Sequence, residues 1–145
     1  MAITYTSQGG VRIPNFKRRT MGSWLRAVAA KYDREIIEVA YQFCDNPYIT
    51  EMNQRFLGHN YSTDIITFDN SQSEDSVVAD IVISLEEVAL NAEDYGTGFR
   101  DELLRVMIHG ILHICGFDDH NEEDAREMRN AEDDALSMVP ENLWS

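Results

Sequence analysis

Cysteine is nearly missing from this chain. With only Cys44 and Cys115 among 145 residues, neither a disulfide framework nor a four-thiolate structural metal site can be built. A reducing cytoplasm is the expected setting. No charged-then-apolar leader opens the sequence, and no apolar run approaches the roughly 20 residues that cross a bilayer. Basic charge is also scarce: 12 Lys and Arg stand against 26 Asp and Glu, a formal net charge of −14. That balance argues against a simple nucleic-acid binder, whose affinity for phosphates comes from clustered Lys and Arg. The scarcity is uneven, however. Seven of the 12 basic residues (Arg12, Lys17, Arg18, Arg19, Arg26, Lys31, Arg34) fall in one segment with a single acid, Asp33, which reads either as a solvated helix face or as the chain's one electrostatic surface for a polyanion. Internal repeats and low-complexity stretches are absent. The length and the 43% hydrophobic content suit a single domain over residues 1–145 with a real core.

What is present concentrates in H-G-I-L-H-I-C-G-F-D-D-H, residues 109–120. The preceding Arg105 to Ile108 reads as helix, so His109 and His113 at i and i+4 share one face, a turn apart. Gly116 stands where a helix would end and can take the left-handed conformation that turns the chain back. That turn returns Asp119 or His120 toward the two imidazoles. Three protein ligands and an open position describe a catalytic zinc site. Asp119 is the favoured third ligand because the turn fixes its offset, with His120 the alternative. Cys115 points off this face and reads as core.

In chain order, strands are expected over Ile3–Ser7, Ile36–Phe43, Ser62–Phe68 and Val77–Leu85, rich in β-branched and aromatic residues. Helices are expected from a Thr20 cap to near Tyr32, from Thr50 to Gly58, from Leu85 to Tyr95, from Arg100 to Cys115, and from Glu122 to Met138. Ser84 with Glu87 forms a capping box before the third of these. Asn46-Pro47 reads as a strand breaker. His59 reads as an exposed loop histidine, and Trp24 and Trp144 as packing residues.

The run H-G-I-L-H-I-C-G-F-D-D, the upstream A-D-I-V-I-S-L-E-E-V and S-T-D-I-I-T-F together resemble the YbeY family of metal-dependent endoribonucleases, in order and over about residues 50 to 122. The resemblance implies an α+β, zincin-like fold: a small mixed four-stranded sheet flanked by helices, with the metal on a core helix and the following turn. It further implies single-strand-specific RNA cleavage in small-subunit ribosomal RNA maturation and ribosome quality control. One Zn2+ per chain on His109 and His113 follows from the same likeness. Ribosomal RNA is the implied partner, with small-subunit proteins or an assembly GTPase as further candidates.

Two departures stand out. The family's usual third histidine is Asp119 here, and a carboxylate oxygen binds zinc at a similar distance. A catalytic arginine common in the family is replaced by Leu57; Arg55 lies two residues earlier and faces elsewhere on a helix. Hydrolysis also needs a general base. The Glu that serves in H-E-x-x-H peptidases is Gly110 here, which tells against peptidase chemistry by that route. Asp64 and Asp118 are the nearest carboxylates by motif, Asp118 also being placed to orient a histidine. A zinc peptidase or amidase, and an assembly factor with a mainly structural zinc, are the alternative readings.

Overall fold

The computed structural model describes residues 2–61 and 63–145; Ser62, which the sequence assigns to a strand, lies outside them. The elements run β1 (Ala2–Ser7), α1 (Arg18–Lys31), β2 (Glu35–Cys44), α2 (Asn46–Leu57), β3 (Ile65–Asp69), β4 (Ser76–Ser84), α3 (Leu85–Tyr95), α4 (Phe99–Ile114) and α5 (Glu122–Leu136). The strands form one mixed sheet in the order β1-β2-β4-β3. β1, β2 and β4 are parallel, and β3 is an edge strand antiparallel to β4, with Ile65 opposite Ile83 and Thr67 opposite Ile81.

Alternation along the strands assigns their faces. Val77, Ala79, Ile81 and Ile83 of β4 join the main apolar cluster with α1, α4 and α5. Val82 and Ile66 point the other way, into a smaller cluster with Ile49 of α2. Two buried hydrogen bonds fix the helical layer: Tyr41 Oη donates to the Met107 carbonyl of α4 (2.9 Å), and Trp24 Nε1 donates to the Ala135 carbonyl of α5 (2.8 Å). Trp24 is thus core, and Trp144 packs edge-on against Phe16 at the end of the chain.

Helix starts differ from the sequence reading in two places. α1 begins at Arg18, with Lys17 at the cap position and no side-chain cap bond, so Thr20 lies within the helix rather than capping it. α2 begins at Asn46: Asp45 accepts from the Tyr48 amide (3.1 Å), and Pro47 sits in the first turn, where a missing N–H costs nothing. Pro47 therefore starts a helix as well as ending a strand. Ser84 caps α3 as expected, accepting from the Glu87 amide (3.3 Å). The Glu87 side chain does not complete the box; it accepts from Asn46 Nδ2, and the Ser84 amide donates to the Asp64 carbonyl instead.

Candidate active site

α4 carries the two histidines, and its close approach to β3 and β4 sets their position. A Cβ built on Gly110 would lie 3.1 Å from the tips of Ile65 and Ile81 and 3.2 Å from Thr67 Oγ1. The helix is pressed onto the sheet there, so a side chain at the position where a peptidase motif places its glutamate would crowd Ile65, Thr67 and Ile81. The far end of α4 closes in a Schellman motif: the Gly116 amide donates to His113 O and the Phe117 amide to Leu112 O, both at 3.1 Å. Gly116 has φ 109°, a conformation that favours glycine. Arg34 secures the same end, donating to the Ile114 carbonyl (2.9 Å) and twice to the Ser76 carbonyl.

His109, His113 and Asp119 line one hollow of about 160 Å³ together with Ile65 and Thr67 of β3. His109 Nδ1 donates to Glu132 Oε2 at 2.7 Å, and His113 Nδ1 donates to the Phe117 carbonyl at 3.1 Å. Since neither acceptor can donate, the neutral imidazoles carry their protons on Nδ1, and in that form both Nε2 atoms keep a lone pair for another partner. His109 Nε2 is 3.9 Å from Asp119 Oδ2. Among the described residues no three His, Cys, Asp or Glu side chains are drawn into a closed ligand cluster. Two imidazoles, each with its Nδ1 engaged, and a nearby carboxylate are residue types that could hold a metal ion, with partners of the kind that orient ligating histidines.

His120 is 77% exposed and does not line the hollow; its Nε2 lies 3.5 Å from Asp118 Oδ1. Asp118 also stands 3.7 Å from His113 Nδ1, beside the imidazoles rather than within the hollow. Arg55 is exposed on α2 over the Phe56 ring and lines neither the hollow nor the cleft next to it. The basic segment is partly spent on structure. Arg34 holds the end of α4, Lys31 pairs with Asp134 (3.8 Å), and Arg18 covers the Tyr5 ring of β1, at the sheet edge opposite β3.

The adjoining cleft, about 190 Å³, is lined by Asp64, Asn91, Tyr95, Glu102, Arg105, His109, Asp119, Arg129 and Glu132 among others. Asp64 Oδ2 accepts from Asn91 Nδ2 (3.0 Å). Behind His109 the chain runs Glu132 to Arg105 (2.9 Å) and Arg105 to Asp133 (2.6 Å). Burial lowers the His109 pKa, but the hydrogen bond and charge of Glu132, with Asp119 and Asp64, outweigh it and leave it above the ordinary value. Burial raises the Glu102 carboxyl; Arg105 and Arg129 oppose this, while Asp64 and Glu132 add to it, and the pKa ends above its usual 4.5. A raised carboxyl costs stability once ionised, so the penalty is absent below the unfolded value and grows as pH rises. Glu102→Gln is therefore expected to raise the unfolding midpoint at pH 7 by roughly a few degrees, with the gain vanishing near pH 4. Equal gains at both pH values would make packing, not charge, the cause.

The sequence profile of the endoribonuclease YbeY family matches residues 6–140. The chain belongs to that family of endoribonucleases. An endoribonuclease YbeY of Porphyromonas gingivalis is 46% identical over 136 residues, covering 94% of this chain and 89% of its own length. That of Bacteroides thetaiotaomicron is 45% identical over 138 residues, covering 95% and 99%. A protein of Thermotoga maritima solved in solution superposes with a TM-score of 0.67 at 27% identity, covering 95% of this chain and 89% of its own.

In this YbeY-family chain the residues missed by sequence reasoning are Glu132, Arg105, Asn91, Glu102, Tyr95 and Arg129. One of them left a trace. Glu132 falls in the stripe Met128, Ala131, Ala135 that α5 buries, and a carboxylate in an apolar stripe needs a partner.

Proposed function

We propose that this chain is a zinc-dependent, single-strand-specific endoribonuclease of one zincin-like domain, acting in the cytoplasm on small-subunit ribosomal RNA during maturation and quality control. The ribosomal role, and with it small-subunit proteins or an assembly GTPase as partners, rests on the family resemblance. The metal reading is carried by one observation: two imidazoles, each engaged through Nδ1, line the hollow that Asp119 also lines. His109, His113 and Asp119 would hold the ion, which supplies a Lewis acid for the phosphoryl oxygen.

Glu132 and the Phe117 carbonyl keep the imidazoles in the ligating tautomer. Asp64, steadied by Asn91, lines the cleft beside His109 and Asp119 and is the general base, taking the proton of the attacking nucleophile. Asp118 steadies His113 and His120. Arg55 does not line the cleft; the guanidinium groups that do are Arg105, already engaged by Glu132 and Asp133, and Arg129.

The test is metal content and cleavage on one preparation, with a labelled single-stranded oligoribonucleotide, the same strand in a duplex, and a peptide library. The expected result is about one zinc per chain, cut single strand, intact duplex and peptides, and loss of cleavage on chelation with recovery on adding zinc. Cleavage that persists after complete metal removal overturns the proposal. Cleaved peptides with intact RNA would move the chain to the peptidase reading.

A further inference from the structure

An RNA-cleaving site in this chain has an electrostatic difficulty. The cleft beside the histidines is lined by four carboxylates, Asp64, Glu102, Asp119 and Glu132, in a protein of net charge −14. A polyanion entering it needs a cation that is not already neutralised. Arg105 does not qualify, since both of its terminal nitrogens are engaged by Glu132 and Asp133. Arg129, exposed on α5, lines the same cleft and has no ion pair within 4 Å among the described residues, Glu102 across the cleft acting on it only at longer range. Its guanidinium carbon lies 6.0 Å from the centroid of the Tyr95 ring. Tyr95 ends α3 on the cleft's rim and is 63% exposed, the most exposed large hydrophobic side chain described.

An unpaired guanidinium beside an exposed aromatic ring is the chemistry that holds single-stranded nucleic acid. The cation meets a backbone phosphate and the ring stacks on a base, whichever base that is. We infer that Arg129 and Tyr95 form the nucleotide subsite through which single-stranded RNA is seated against the histidine hollow. The inference rests on the endoribonuclease reading, and it also gives a physical reason for single-strand preference, because a base paired in a duplex cannot offer its face to Tyr95. The cleft-side cation is thus supplied from α5, where the family's usual arginine position is Leu57.

The experiment compares Arg129→Ala, Arg129→Lys, Tyr95→Ala and Tyr95→Phe with the parent protein. Steady-state cleavage of a labelled single-stranded oligoribonucleotide gives KM and kcat. Fluorescence anisotropy of the same oligomer, in the His113→Ala background, gives affinity across a salt series. For Arg129→Ala and Tyr95→Ala the expected result is about tenfold weaker binding and a correspondingly higher KM, with kcat altered far less. Arg129→Ala should also flatten the salt dependence by about one phosphate contact, a log–log slope change of about 0.7. Arg129→Lys should keep that slope, and Tyr95→Phe should bind like the parent. A purely structural role for Arg129 would leave the salt slope unmoved. Parent-like KM, affinity and salt slope in both alanine variants, with RNA still cleaved, would overturn the subsite and leave the nuclease reading standing. Weakened binding in both variants of a protein that does not cleave RNA would support the subsite and overturn the nuclease reading instead.

Discussion

His113→Ala is expected to abolish both metal retention and RNA cleavage while leaving the fold in place. Removing a mere outer partner of a metal ligand typically costs about 10–100-fold in affinity or activity, so loss of the ligand itself should exceed a hundredfold. His113 can be lost cheaply in structural terms. Its side chain is 45% exposed, and the hydrogen bond it surrenders, to the Phe117 carbonyl, is exposed as well; the Schellman bonds that end α4 are made by backbone alone. The companion variants carry the sharper discrimination. Asp119→Ala should behave like His113→Ala, because Asp119 lines the hollow, whereas His120→Ala should retain metal and activity, its ring being out at the surface near Asp118. Metal analysis and cleavage rates on the three variants decide the matter. If His120→Ala loses the ion and Asp119→Ala keeps it, the third ligand has been misassigned.

The second large effect is expected at Glu132→Ala, and it should show in two places at once. Glu132 is 6% exposed and divides its carboxylate between His109 Nδ1 (2.7 Å) and Arg105 Nη1 (2.9 Å). Truncation frees the His109 ring to turn and to change tautomer, and should weaken metal binding about 10–100-fold. It also leaves Arg105 with Asp133 alone. Breaking a fully buried pair costs about 3–5 kcal/mol; with one carboxylate still in place, roughly 2 kcal/mol of folding stability is the reasonable expectation. Zinc titration with a competing chelator measures the first loss, and urea unfolding in excess chelator the second. Glu132→Gln, which keeps an acceptor for Nδ1 but no charge for Arg105, should recover part of the metal affinity and little of the stability. Unaltered metal affinity in Glu132→Ala would mean that His109 is oriented by something other than α5.

Most of the secondary structure was legible from sequence because its signals are local. The i, i+4 histidines on an apolar helix, Gly116 at its end, Ser84 at the start of α3 and the β-branched run of β4 each depend on neighbours in the chain, and each is found where expected. The misplaced starts of α1 and α2 have a local cause too. Thr20 offers a cap that goes unused because the turn begins at Lys17, and Pro47 is compatible with both a strand's end and a helix's first turn. In the site the divide falls elsewhere. His109, His113, Asp119 and Asp64 carry short-range signatures, whereas Arg105, Asn91, Tyr95 and Arg129 have none that separates them from ordinary helix-surface residues, and Glu132 shows only as a carboxylate in the apolar stripe of α5, with no sign of its partner.

From the chain alone one could read a helix with histidines at i and i+4 followed by a glycine turn, the absence of a peptidase glutamate at Gly110, and kinship to the endoribonucleases it resembles. Only the tertiary structure decided how that helix is supported. The strand order sets β3 against α4, so that Ile65 and Thr67 complete the hollow, and the return of α5 brings Glu132 to a histidine 23 positions earlier and Arg129 to the rim of the cleft. Those partners meet through long-range packing. Their pairing depends on where two helices cross, a quantity set by the whole core and carried by no short stretch of residues.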